Sequence, residues 1–161
     1  MALEKLIQQN FPHEQVMFRE AGEDDYGLII QSWLLSYQSS AGTRDIANDI
    51  YYAHQPKIIE SCIHSGNALV LAPLSEPRVI MGFIVFSLEP QGLVMDWLGV
   101  KKTFRRMGIC NFIMNNIIDF HPDSEQNYCT HWPASMFEVT VKRQMHRHKI
   151  RYNPYLQQRF L

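Results

Sequence analysis

The sequence predicts an α/β (α+β) fold, a mixed and mostly antiparallel central sheet flanked by helices, and three observations carry that expectation. Three apolar runs follow one another across short turns: residues 68–72 (ALVLA), 79–88 (VIMGFIVFSL) and 93–100 (LVMDWLGV). Runs of that length, bounded by proline and glycine, read as strands of an antiparallel meander. Next, Ile109, Phe112, Ile113, Asn116, Ile117 and Phe120 recur at helical spacing, which gives one apolar face to a helix crossing over the sheet. Finally, the chain closes in the order strand, helix, strand, so that both kinds of element share one core.

Taken in order, residues 1–10 read as a helical turn or an irregular arm, and 15–20 (QVMFRE) as a first strand closed by Ala21 and Gly22. Glu23, Asp24 and Asp25 precede an apolar-periodic helix over 26–37; acids in a first turn complement the helix dipole, so capping accounts for this cluster better than catalysis does. A small polar loop spans 36–42. Two short helices follow over 45–52 and 55–65, with Pro56 suited to a first turn and Gly66 to a C-terminal cap. The segment PLSEP is too polar to bury and links the first two meander strands, and Glu89 to Gly92 turns the chain into the third. After Phe120, His121 to Ser124 breaks the helix; 127–132 (NYCTHW) is a strand, 133 to about 148 a helix, and 150–156 (IRYNPYL) a last strand.

Length and composition fit one domain over 1–161 with a core able to stand alone. A hydrophobic fraction of 46% and a charged fraction of 19% describe a globular chain rather than a disordered one. The net charge of −1 gives no global pull toward nucleic acid or membrane. From Pro133 onward, however, six Lys/Arg face the single acid Glu138. Cys62, Cys110 and Cys129 are odd in number and widely spaced, which argues against a disulfide framework or a zinc site and for a reducing cytoplasm. Residues 1–10 carry Glu4 and Lys5 and lack the apolar core of a signal peptide. No apolar run is long enough to span a bilayer.

The chemistry concentrates where the strand at 93–100 turns into the helix at 109. Arg105, Arg106 and Gly108 stand at that turn. A helix N-terminus offers unpaired N–H groups and partial positive charge, glycine lets the backbone approach an anion, and arginines add donors. These are the parts of a pyrophosphate cradle; an ordinary connection with a solvated basic turn has the same spacing. The segment Arg105-Arg106-Met107-Gly108-Ile109-Cys110, preceded by Leu98-Gly99-Val100, resembles the acetyl-CoA-binding signature of the GCN5-related N-acetyltransferase (GNAT) superfamily: Arg or Gln, two residues, Gly, one residue, then Gly or Ala. Cys110 replaces the last small residue. The stretch SWLLSYQSS is similar, more loosely, to short acetyltransferase-like chains of tailed phages.

That resemblance implies a GNAT-like sheet whose fourth and fifth strands splay to form a slot for CoA, and transfer of an acetyl group from acetyl-CoA to an amine of a protein or small molecule. It implies that Trp97, Leu98, Gly99 and Val100 pair with the amide arm, and that the N–H groups of Arg106, Met107, Gly108, Ile109 and Cys110, with Arg105 beside them, hold the pyrophosphate. Asp96 is the candidate general base, with a structural aspartate paired to an arginine as its alternative. The family's general-acid tyrosine is missing from SMFEVTVKRQMHRHKI; Tyr152, or Tyr155, is the candidate in its place. The region between the first two strands shapes the acceptor pocket in the family, which brings in Trp33, Tyr37, Tyr51 and Tyr52, residues that periodicity alone would assign to the core.

Cys110 at a helix start raises the option of a reactive thiol against that of a small filler. His131 raises that of a cleft residue against a satisfied core histidine. Lys142, Arg143, Arg147, Lys149 and Arg151 form a basic patch that suits the CoA 3′-phosphate, an acidic partner or solvent. No metal is expected, and neither membrane nor nucleic acid is an expected partner. Localisation is expected to be cytoplasmic, in a host cytoplasm if the chain is viral. The rival reading is a GNAT-like scaffold without turnover, serving as an interaction or virion-associated protein.

Overall fold

In the computed structural model, residues 9–11, 14–40, 43–121, 126–131 and 145–160 are described. Seven strands among them form one sheet in chain order: β1 (Gln9–Phe11), β2 (Glu14–Glu20), β3 (Asn67–Pro73), β4 (Gly82–Glu89), β5 (Gly92–Val100), β6 (Asn127–Cys129) and β7 (Ile150–Tyr152). β1 to β5 are antiparallel neighbours, while β6 pairs parallel with both β5 and β7. The expected mixed, mostly antiparallel sheet is what the chain makes. The parallel step falls where it must, because a helix separates β5 from β6 and carries the chain back to the same end.

Two layers of helix cover the sheet. Ile29, Trp33 and Tyr37 of α1 (Glu23–Gln38) and Tyr51, Ile59, Cys62 and Ile63 of α2 (Asn48–Ser65) bury against Val70, Phe83, Val85 and Trp97 on one face. Ile109, Ile113 and Ile117 of α3 (Ile109–Phe120) pack on Phe18, Leu69, Leu71, Ile84 and Phe86 on the other. Strand alternation assigns neighbouring residues to the two layers. α3 comes close at Gly82, where an added Cβ would stand 2.9 Å from the Ile113 Cδ1 atom. Three isoleucines withdrawn from water stabilise the contact by about 1.5–3 kcal/mol each.

Several expectations need correction. Residues 9–11 form an edge strand rather than a helical turn, paired to β2 through the register Asn10 to Gln15. The two short helices are one, α2, running through Pro56. The missing N–H and the ring clash at Pro56 disfavour this continuation, but a buried face of Tyr51, Gln55, Ile59, Cys62 and Ile63 spans the proline and holds both halves to the sheet. Val79 and Ile80 lie outside β4. The last strand stops at Tyr152, and Pro154–Gln158 is a 3-10 turn. Trp132 and the expected helix up to residue 144 lie outside the described residues, as do Lys142 and Arg143; residues 145–147 are helical. The acids at 23–25 do cap α1: Asp25 accepts from the Gly22 N–H at 2.8 Å and pairs with Arg19 at 2.5 Å. No helix among the described residues is long and apolar enough to cross a membrane.

Candidate active site

The turn from β5 into α3 is built as an open cradle. After Val100 the chain makes a 3-10 turn over Lys102–Phe104, runs extended at Arg105, and then takes left-handed backbone at Arg106 (φ 68) and Gly108 (φ 84, ψ 3). Gly108 is the N-cap of α3, and its carbonyl accepts the Phe112 N–H at 3.0 Å. No side chain caps this helix start, so its first N–H groups keep their partial positive charge for an outside acceptor. A Cβ added at Gly108 would meet nothing within 4 Å; glycine is needed there for its backbone angle, and the space above it is open. Arg105, Arg106 and Met107 are exposed around it, with the Arg105 Nε donating to the Val100 carbonyl at 3.3 Å.

Cys110, one turn-position on, does not carry the activated thiol that a helix start can produce. Burial pushes it up to about 11, because removing a thiolate from water outweighs the dipole.

β5 and β6 are only half joined. Leu93 pairs with Asn127, Val94 with Tyr128 and Met95 with Cys129; one further rung runs from the Thr130 N–H to the Met95 carbonyl at 3.1 Å. Beyond that rung no pairing on this side reaches Trp97 to Val100 among the described residues, although the same residues are laddered to β4 on their other side. A strand edge of unpaired amides is a template for another extended chain. The expected splay between the family's fourth and fifth strands is therefore the parting of β5 from β6.

The parting coincides with a bulge. Val85 of β4 faces Trp97 and Phe86 faces Met95, which leaves Asp96 as an extra residue. Strict alternation along β5 would put Asp96 on one face with Leu98 and Val100; the bulge breaks that alternation after Asp96. Leu93 and Met95 point to the α3 layer before it; Leu98 and Val100 do so after it, while Trp97 points to the α1–α2 layer.

Asp96 is fully buried, and Arg159 holds both its oxygens, Nη1 to Oδ1 at 2.8 Å and Nη2 to Oδ2 at 2.6 Å. The same guanidinium donates to Glu89 Oε1 at 2.9 Å, to Ser87 Oγ at 2.7 Å and to the Leu156 carbonyl at 2.5 Å. Thr130 Oγ1 donates to Asp96 as well. Burial pushes the Asp96 carboxyl above its ordinary range, and the guanidinium pulls against that rise. Of the two readings open in the sequence, this geometry is that of the aspartate paired with an arginine. The carboxyl is fully buried in that fork, so an incoming ammonium does not reach it. Arg159 gave no sign in the sequence, being a lone cation in a polar tail with no spacing to mark it.

The aromatic candidates divide. Trp33 is buried and stacks on Trp97, with ring centroids 6.0 Å apart and 12° between planes. Tyr37 is buried 5.1 Å from the ring of His131, which in turn meets Trp97 edge-on at 4.3 Å. These four side chains form one cluster where β5 parts from β6. Tyr51 donates to the Leu34 carbonyl at 2.8 Å and Tyr52, exposed, to Gln38 Oε1 at 2.9 Å; both tie α2 to α1. Tyr152 is exposed at the end of β7, opposite Cys129 in register; burial first, and Tyr152 second, raise the Tyr37 phenol above its ordinary range. Tyr155 is exposed. Among the described residues neither ring nitrogen of His131 has a hydrogen-bond partner, unlike the satisfied core histidine that was one of its two readings. Among the described residues no three His, Cys, Asp or Glu side chains gather as a metal site would require.

The fold is shared with solved acetyltransferases. An N-acetyltransferase, PaiA, from Thermoplasma acidophilum in complex with coenzyme A superposes with a TM-score of 0.51 at 12% identity, over 80% of this chain and 87% of that one. An acetyltransferase of the GNAT family from Staphylococcus aureus gives 0.50 at 14% identity, over 82% and 80%. A structure described as histone acetyltransferase HPA2 and related acetyltransferase, from Corynebacterium glutamicum, gives 0.53 at 12%, over 81% and 83%. No protein-family model and no curated protein matches the sequence. The chain thus has the GNAT fold at identities that establish the fold alone, and nothing in these likenesses bears on the tailed-phage reading.

Proposed function

We propose that the protein is an acetyl-CoA-dependent N-acetyltransferase acting on an amine of a protein or small molecule. One observation carries the reading: the uncapped start of α3, with open space above a left-handed Gly108, lies across residues 101–108 from a strand whose last four residues lack a partner on one side among the described residues. A diphosphate fits the first feature and an amide-bearing arm the second. The coenzyme A complex of the Thermoplasma neighbour supports the same ligand.

When bound, acetyl-CoA supplies an activated acyl group as a thioester. In this reading the N–H groups of Arg106 to Cys110 hold the pyrophosphate, Arg105 and Arg106 add charge, and Trp97 to Val100 align the arm. Alignment of donor and acceptor supplies much of the acceleration by removing orientational freedom before reaction. Asp96 acts by holding the bulge through Arg159 rather than by taking a proton. Tyr152 is retained as the group that returns a proton to the leaving sulfur. Its exposure allows contact with a ligand in the parting.

The second reading, a CoA-binding or interaction scaffold without turnover, draws on the same ion pair, because the carboxylate expected as base is committed to Arg159. Calorimetric titration with acetyl-CoA tests the first step common to both. Wild type should bind, and Arg106→Glu should bind at least about tenfold more weakly, about 1.4 kcal/mol, with an unchanged melting temperature. Equal affinity of the two proteins would remove the cradle.

A further inference from the structure

A ladder that stops partway along a strand needs something to stop it, since each further rung would satisfy more backbone groups. Thr130 stands at the stop. Among the described residues its N–H makes the last backbone bond between β6 and β5, to the Met95 carbonyl at 3.1 Å, and the residue is fully buried. Thr130 Oγ1 lies 3.2 Å from the Asp96 carbonyl oxygen and 3.3 Å from Asp96 Oδ1. A hydroxyl has one hydrogen to give, so the backbone and the carboxylate of one residue share it. Asp96 is the extra residue of the bulge, without a partner in the β4 register, and side chains hold it instead.

The other hold on Asp96 comes from the end of the chain. The segment after β7 lies against α2: the Gln157 carbonyl accepts from Cys62 Sγ at 3.5 Å, the Gln157 side chain meets Gln55 at 3.4 Å, and the Phe160 carbonyl accepts from Ser61 Oγ at 3.2 Å. These contacts deliver Arg159, whose guanidinium reaches Asp96 on β5 and Ser87 and Glu89 on β4. One cation thus joins β4 to β5, and through Asp96 one hydroxyl joins β5 to β6. Both ties converge where the sheet parts. Thr130 and Asp96 are fully buried and the Arg159 side chain is 10% exposed, so these groups act on a ligand through the strands and not by touching it.

We propose that Thr130 and Arg159 are positioning residues of the coenzyme slot, which fix through Asp96 the point and angle at which β6 leaves β5. This rests on the acetyltransferase reading and adds to it the residues that keep the slot open before the ligand arrives. A strand edge takes up an extended arm only while that edge is free. With the tie cut, the end of β6 at Thr130 and His131 closes on the edge or swings away from it in part of the molecules. Apparent affinity then falls by the fraction of molecules that lose a competent slot. A slot held ready by buried hydrogen bonds spares the ligand that ordering cost.

Thermal melting without ligand, and calorimetric titration with acetyl-CoA well below the melting temperature, are measured on wild type and three variants. Thr130→Val keeps the shape of the side chain and removes the hydroxyl; Thr130→Ser keeps the hydroxyl and removes the methyl; Arg159→Met with Asp96→Leu removes both charges together. The expected result is about fivefold weaker binding for Thr130→Val, equivalent to about 1 kcal/mol, the worth of one hydrogen bond. Thr130→Ser should bind within about twofold of wild type although it melts lower, because the lost methyl leaves a small void. The double variant should melt near wild type yet bind at least about tenfold more weakly. Affinity equal to wild type in either Thr130→Val or the double variant would overturn the proposal, since these residues would then serve stability alone. Equal weakening by valine and serine would overturn it as well, because the hydroxyl would not be the part that matters. If Thr130→Val does not fold, the double variant decides by the same criterion. Wild type that does not bind acetyl-CoA removes the transferase reading and the inference with it; wild type that binds, with variants that bind equally well, removes the inference alone.

Discussion

At the scale of single residues, the sharpest lesson is Arg159. Its guanidinium gathers Asp96, Glu89, Ser87 and the Leu156 carbonyl, so it ties the end of the chain to the bulge that ends the β5–β6 ladder. Arg159→Met would leave a carboxylate buried without its cation, and about 3–5 kcal/mol should be lost in urea denaturation. The double variant Arg159→Met with Asp96→Leu should recover most of that loss, because removing both charges removes the desolvation cost as well. A single variant costing under about 1 kcal/mol would contradict the clamp. The sequence leaves an arginine-paired Asp96 open but does not say which arginine. Asp96 drew notice as the one charge in an apolar run, but its partner stands 63 positions away, and no local rule pairs residues at that range. His131 was likewise weighed as a core residue, because a sequence cannot say whether a buried imidazole finds a partner.

At the scale of elements, local pattern decided well wherever packing agreed with it. The helix expected at 109–120 is α3 (Ile109–Phe120), since its apolar spacing and the glycine before it point the same way. The strand runs at 68–72 and 93–100 are β3 and β5 within two residues. Pattern failed where packing overrode it. Pro56 reads as a helix start, yet α2 passes through it because Tyr51 and Gln55 on one side and Ile59 and Cys62 on the other are buried together. The proline therefore stands at a cost, and Pro56→Ala should restore an N–H to the helix ladder and raise stability by about 1–3 kcal/mol. A lower melting temperature in that variant would mean that the proline itself is required for packing. The bulge at Asp96 is a second failure of local pattern. Strict alternation is a rule for regular strands, and one inserted residue reverses which face every later side chain takes.

At the scale of the whole molecule, sequence order sets the architecture. Antiparallel neighbours from β1 to β5 need only short turns or a helical excursion on one face, and the crossover through α3 forces the parallel pairing that follows. The consequence is a strand, β5, laddered along its length to β4 but only along its first half to β6. Among the described residues the second half has no partner on that side, and residues 101–108 lead from it to an open helix start. That continuity from strand edge to cradle is the central claim, and it is tested most directly by amide chemical shifts of the isotopically labelled protein titrated with coenzyme A. The account predicts that the largest shifts fall on the amides of Trp97 to Val100 and of Arg106 to Cys110, with those of β1 and β2 unmoved. Saturable binding that shifts other amides and leaves both of those segments where they were, or no shift anywhere at millimolar coenzyme A, would contradict it.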